Sequence, residues 1–130
     1  MSVVQFSGST IIKMSNTTNF YNDPVWKKLN PVSFTYAGKG VDMLKGDADI
    51  TSLHPRQGFI TLYATSAVEE DKAEVFAYLF TAGLYQKGKK YIEEDAVLKN
   101  KFEYMKTVYL RGISADFTDE FFNKLHNPGK

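Results

Sequence analysis

The sequence predicts a mainly α fold: a single compact domain with a loop-rich first half (residues 1–58) holding one short strand, then a helical second half (59–130) of three helices. Three observations predict it. Turn-forming residues interrupt every long periodicity between Asn19 and Gly58, whereas beyond Gly58 apolar residues recur at three- and four-residue spacing. The chain has 130 residues, 43% of them hydrophobic and 15% aromatic, enough to bury one core and too few for two ordinary domains.

Residues Val3 to Met14 mix β-branched and polar types around Gly8, which leaves a short strand and a short helix both open there. The loop region follows, marked by Asn22-Asp23-Pro24, Asn30-Pro31, Gly38-Lys39-Gly40, Gly46-Asp47 and His54-Pro55. Within it, Val32 to Tyr36 alternates in the strand manner, with Phe34 and Tyr36 on one face and Ser33 and Thr35 on the other. Trp26 and Leu29 are expected to anchor this region on the core.

The first long helix is expected at Ser66-Ala67-Val68-Glu69, where a serine followed three residues later by glutamate forms a capping box. Its apolar row runs through Ala73, Phe76, Ala77, Phe80 and Leu84, and Val75 and Leu79 make the far side apolar too, so the helix is buried on most sides. Gly83 or Gly88 ends it. A second helix begins at about Glu93, carries Leu98, Phe102, Met105 and Tyr109 on one stripe, and closes at Gly112. A third starts near Asp116 with Phe117, Phe121, Phe122 and Leu125, before Asn127-Pro128-Gly129 stops it.

Composition removes several function classes. Sixteen basic against fifteen acidic residues leave a formal charge of +1, which creates no broad field for nucleic acid or an anionic membrane. With no cysteine there is no disulfide, thiolate metal site or thiol nucleophile. No apolar run approaches the ~18 to 20 residues that span a bilayer, and Met1 to Phe20 lacks the basic start and apolar core of a signal peptide. Electrostatics alone names no partner, and cellular site and oligomeric state are not encoded in these features.

The chemistry concentrates at Glu69-Glu70-Asp71 and Glu74. Acids in a first turn stabilise the helix dipole by about 0.3–1 kcal/mol each, and the capping box accounts for Glu69. Glu70 asks for more, because on an ideal helix it continues the row of Ala73, Ala77, Phe80 and Leu84 and so leans toward the core. A carboxylate buried there costs several kcal/mol unless a cation, a metal or hydrogen-bond donors answer it.

Gly58-Phe59-Ile60-Thr61-Leu62-Tyr63-Ala64, followed by Glu70-Asp71-Lys72-Ala73-Glu74-Val75-Phe76-Ala77, resembles the third-ligand region of zinc-binding metallopeptidases related to the catalytic domain of anthrax lethal factor, a gluzincin-type family. The resemblance extends to Trp26-Lys27-Lys28-Leu29-Asn30-Pro31 with Phe34 and Tyr36, and to the closing helices around Ile92 and Tyr109. It implies a zincin-like C-terminal part in which Glu70 is the third zinc ligand, the Tyr63 hydroxyl steadies the developing oxyanion, and Glu74 is a carboxylate supporting the metal shell. Catalytic zinc takes three protein ligands and keeps one position for water, whose pKa falls to about 7. A phenol beside it can donate to the oxygen that gains charge.

The other two ligands are missing. No HExxH occurs, and the two histidines, His54 and His126, are not paired on a helix. The resemblance puts the first metal helix near the amino end, where Val4, Gln5 and Gly8 can neither bind zinc nor act as a base. The expected function is a catalytically inactive metallopeptidase-like domain, a pseudopeptidase acting as a peptide- or protein-binding module, with no cofactor in this chain alone and zinc only by family resemblance. The alternative is a fragment of an active zinc-dependent metallopeptidase, a hydrolase whose HExxH helix lies upstream; Met1-Ser2 reads as a natural start and favours the first. Weaker patterns are Asp42, Asp47 and Asp49, which lack the spacing of a calcium loop, and Lys87-Gly88-Lys89-Lys90, a solvated basic turn.

Overall fold

A computed structural model describes residues 23–38 and 49–129. The two readings left open at Val3–Met14, and the residues Asp42 and Asp47, lie outside the described residues.

Asp23 starts the first helix, α1 (Pro24–Lys27), by accepting from the backbone N–H groups of Val25 and Trp26 at 3.0 and 3.1 Å, with proline at the position where no N–H is needed. Trp26 is fully buried and Leu29 packs beside it, so both anchor the loop region as the sequence suggests. The Val32–Tyr36 segment pairs into no ladder. Its alternation still decides what it buries: Phe34 and Tyr36 close on Phe59 at centroid distances of 4.3 and 5.9 Å, while Ser33 and Thr35 are exposed. Among the described residues the extended pairing is one antiparallel bridge, Leu53 with Thr61.

Four longer helices follow: α2 (Val68–Phe80), α3 (Ala82–Glu94), α4 (Ala96–Tyr104) and α5 (Asp119–His126). Single extended residues join the first three. Thr81 ends α2 and starts α3; Asp95 ends α3 and caps α4 through the N–H groups of Val97 and Leu98. The expected break at Gly83 or Gly88 is thus corrected, for both glycines lie inside α3. Gly88 is there to let the helix approach closely, since a Cβ would sit 2.8 Å from the Ile60 Cδ1 and 3.2 Å from the Tyr78 Cδ2.

The α2 start is where the sequence places it, with different chemistry. Ala67, extended at φ −162° and ψ 159°, is the N-cap and supplies no side-chain acceptor. Ser66 is the C-cap of the 3₁₀ turn Tyr63–Thr65, with φ −78° and ψ −37°, and its hydroxyl donates to the Tyr63 carbonyl, so no capping box forms.

After Tyr104, α4 widens into a π-helical stretch (Met105–Leu110) and finishes with one α turn (Arg111–Ile113). Met105 and Leu110, one π turn apart, are both fully buried, and Tyr109 is carried inward with them. The stripe of Leu98, Phe102, Met105 and Tyr109 is buried as expected. Thr118 caps α5 by accepting from the Phe121 N–H at 3.1 Å, and Phe122 fills the core. No helix among the described residues is long and apolar enough to cross a membrane.

Candidate functional site

The buried face of α2 is Val68, Asp71, Lys72, Val75, Tyr78 and Leu79. That is helical spacing, but two of its members are charged. Asp71 replaces Glu70 as the inward-facing acid: one residue along a helix is about 100° of rotation, and Ala73, on the row expected to be buried, is exposed. Glu70 itself is half-buried.

What answers Asp71 is a set of donors from three other segments. Its Oδ2 accepts from the Lys101 Nζ at 2.8 Å, the Trp26 Nε1 at 2.9 Å and the Tyr36 hydroxyl at 2.7 Å. Lys101 also donates to the Gly58 carbonyl at 2.6 Å and lies 3.6 Å above the Phe59 ring. Asp71 and Lys101 are both 0% exposed. Burial pushes the Asp71 carboxyl up and the Lys101 ammonium down, and their mutual attraction opposes both shifts.

A second buried pair runs beside it. The Asp23 Oδ2 accepts from the Lys72 Nζ at 3.1 Å and from the Tyr109 hydroxyl. For Asp23, burial raises the carboxyl pKa, but the Tyr109, Trp26 and Lys72 donors outweigh it and hold it below the usual carboxylate range. The Tyr109 phenol is pushed far up by the same burial and carboxylate. An apolar stripe alone tolerates rotation of α2 against α1 and α4. These pairs do not, because any other rotation strands a buried charge at a cost of about 3–5 kcal/mol.

A third aspartate uses the same device. The Asp95 Oδ1 caps α4, while Oδ2 accepts from the Gly58 N–H at 2.6 Å and pairs with the His54 Nε2 at 2.8 Å. Gly58 has φ +90°, and a Cβ there would meet the Val97 Cγ1 at 2.8 Å; only glycine fits. His54, also left-handed at φ +49°, stacks on Tyr91 at 4.9 Å.

Tyr63 feels the carboxylates of Glu70 and Glu74 at the start of α2. Hydrogen bonding to Glu70 is the largest cause of the upward shift of the Tyr63 phenol, with Glu74 and Glu69 adding to it. The Glu74 Oε1 accepts from the Thr61 hydroxyl at 2.8 Å; burial first, then the neighbouring Glu70 and Asp71, raise its pKa against that bond. Zinc needs three protein ligands. Among the described residues no three His, Cys, Asp or Glu side chains converge on a common point. Both imidazoles of the chain are engaged elsewhere, His54 with Asp95 and His126 with the Leu79 carbonyl at 2.7 Å. Among the described residues, the donor set at Glu70 therefore does not fit zinc.

An opening lies on the adjoining side of the same helix end. A cleft of about 370 Å³ runs between Asn30–Gly38 and the first turn of α2. Phe34 and Tyr36 form one wall, Ser66 to Glu69 the other, and Lys27 and Asn30 the end. The strap is tied down by Ala37 N–H to Thr65 O at 3.0 Å and Gly38 N–H to Ser66 O at 2.6 Å. Asn30 donates to the Tyr36 hydroxyl at 2.9 Å, and its Oδ1 is buried without a donor. Phe34 and Tyr36 were legible as one face in the sequence; Asn30, Ala67 and the Asp71–Lys101 pair were not, because each depends on what another segment brings to it. Compared with known proteins, the chain matches no family description, no curated protein and no solved structure.

Proposed function

We propose that this chain is a binding module that holds a peptide or an extended segment of a protein in the cleft between residues 30–38 and the start of α2, without cutting it. The observation that carries the reading is the uncapped end of α2 at that cleft. Ala67 offers no acceptor to the N–H groups of Glu69 and Glu70, which an N-cap side chain normally satisfies, and the facing wall is aromatic. Backbone carbonyls of a peptide suit those donors, and apolar side chains suit Phe34. The inactive, metallopeptidase-like reading of the sequence is compatible with this use. What supports it is that the chain's two imidazoles are engaged with Asp95 and the Leu79 carbonyl, away from Glu70.

Ala67→Ser tests the proposal. A serine at an extended N-cap supplies the missing acceptor and should raise stability by about 1 kcal/mol. Because its hydroxyl then occupies the amides a peptide would use, peptides selected from a random display library on the wild-type chain should bind the variant several-fold more weakly. Selected peptides that bind both chains equally would refute the use of the helix end. The alternative, an incomplete zinc hydrolase, rests on the Tyr63–Glu70 contact. Stoichiometric zinc in the purified chain, lost in Glu70→Gln, would favour it instead.

A further inference from the structure

On the far side of the molecule, a second and more enclosed cavity of about 240 Å³ is framed by α2, α3, α4 and α5. Its floor is apolar: Leu79, Ile92 and Phe102 are each almost fully buried in the core. The Tyr85 and His126 rings also line it, stacked face to face with centroids 3.5 Å apart and planes within 9°. Two acids and two bases, Glu93, Glu103, Lys99 and Lys106, stand around it, so the formal charges there cancel. Lys106 is already paired with Glu103 at 2.9 Å.

His126 sets the polarity of this cavity. A carbonyl oxygen can only accept, so the 2.7 Å contact from the His126 Nε2 to the Leu79 oxygen places the ring hydrogen on Nε2. The Nδ1 of the neutral ring is therefore an acceptor. Nothing among the described residues donates to it, although the residue is only 6% exposed. Burial, the largest influence on this imidazole, lowers its pKa and so favours that neutral form.

We infer that this cavity binds a small, uncharged aromatic compound of one or two fused rings that carries an N–H or O–H donor, seated on Leu79, Ile92 and Phe102 with the donor on the His126 Nδ1. The volume supports the size: a cavity of about 150 Å³ holds benzene, and drug-sized ligands need roughly 300 Å³ or more. The balanced charges select against a formally charged ligand, and the unpaired acceptor selects for a donor, because a ligand that covers the Nδ1 without one takes it out of water unpaired. The inference does not depend on the peptide cleft, which lies at the other end of α2.

The test uses the full chain and indole as the probe, with 1-methylindole, which is nearly the same shape without the N–H, as the comparison. Titration followed by protein NMR should show saturable indole binding, with shifts centred on the Leu79, Ile92, Phe102 and His126 signals. 1-Methylindole should bind about tenfold more weakly, the worth of one buried hydrogen bond. His126→Phe keeps an aromatic stack on Tyr85 and removes the acceptor, so the two probes should then bind alike. The wild-type comparison stands without the variant should that chain not fold. Indole that fails to saturate, shifts centred elsewhere, or equal wild-type affinities for the two probes would overturn the inference.

Discussion

Replacing Lys101 with methionine keeps most of the side chain's volume and removes its charge from a site with no solvent. Three contacts go: the bond to the Asp71 Oδ2, the bond to the Gly58 carbonyl, and the approach to the Phe59 ring. Leaving a buried carboxylate without its cation costs about 3–5 kcal/mol. The unpaired Gly58 oxygen adds roughly 1 kcal/mol, while the methionine sulfur against Phe59 returns a similar amount. The expected loss of about 3–5 kcal/mol is a large part of the 5–15 kcal/mol typical of a domain and should move a urea midpoint by about 2 M. Trp26, the one tryptophan, reports it by fluorescence, with circular dichroism as a check because its indole touches Asp71. The Asp71→Asn, Lys101→Met double variant, which keeps acceptors for Trp26 and Tyr36 and buries no lone charge, should recover most of the loss. In Lys101→Met alone the Asp71 carboxyl pKa rises further. A raised folded pKa gives a contribution complete below the unfolded value of about 3.9 and lost as pH rises through the folded value, so the deficit should shrink on acidification. A single variant costing under about 1 kcal/mol, or a double variant as unstable as the two singles summed, would refute the reasoning.

Other perturbations separate features that look alike in the sequence. Gly83→Ala meets open space and should stabilise α3 by about 0.5–1 kcal/mol, whereas Gly88→Ala drives a methyl into Ile60 and Tyr78 and should lose about 1–2 kcal/mol net; thermal melts of the two variants should shift in opposite directions. Asp95→Ala removes the α4 cap and the Gly58 and His54 contacts together, for an expected loss of about 2–3 kcal/mol in urea titration. His126 has a depressed folded pKa, so its contribution is complete above the unfolded value of about 6.5 and is lost as pH falls toward the folded one. Melting temperatures taken between pH 7.5 and 5.5 should therefore fall less steeply for His126→Gln than for the wild type.

The sequence was most informative where apolar spacing is regular and solvent decides the face. Leu98, Phe102, Met105 and Tyr109 repeat at four, three and four residues and are all buried, and Phe34 and Tyr36 share a face although they join no sheet. It misled at α2, where the buried row is punctuated by Asp71 and Lys72. Apolarity cannot flag such positions: an aspartate inside the core is stable only beside Lys101, Trp26 and Tyr36, which lie 30, 45 and 35 residues away along the chain. The capping box failed for a local reason of the same kind. Ser66 is held in the 3₁₀ turn by Tyr63, so the extended conformation an N-cap requires falls to Ala67.

By itself the sequence determined a mainly helical chain, the approximate start of α2 and the aromatic anchors, because helix periodicity and burial of large rings are properties of short stretches. The tertiary structure alone decided which acid faces inward, which glycine is needed for contact, where α2 gives way to α3, and that Tyr63, Glu70 and Glu74 gather without a third metal-binding partner among the described residues. Each of those depends on the partner that a distant segment supplies, and the energy of a buried charge or a close backbone approach exists only once that partner is in place.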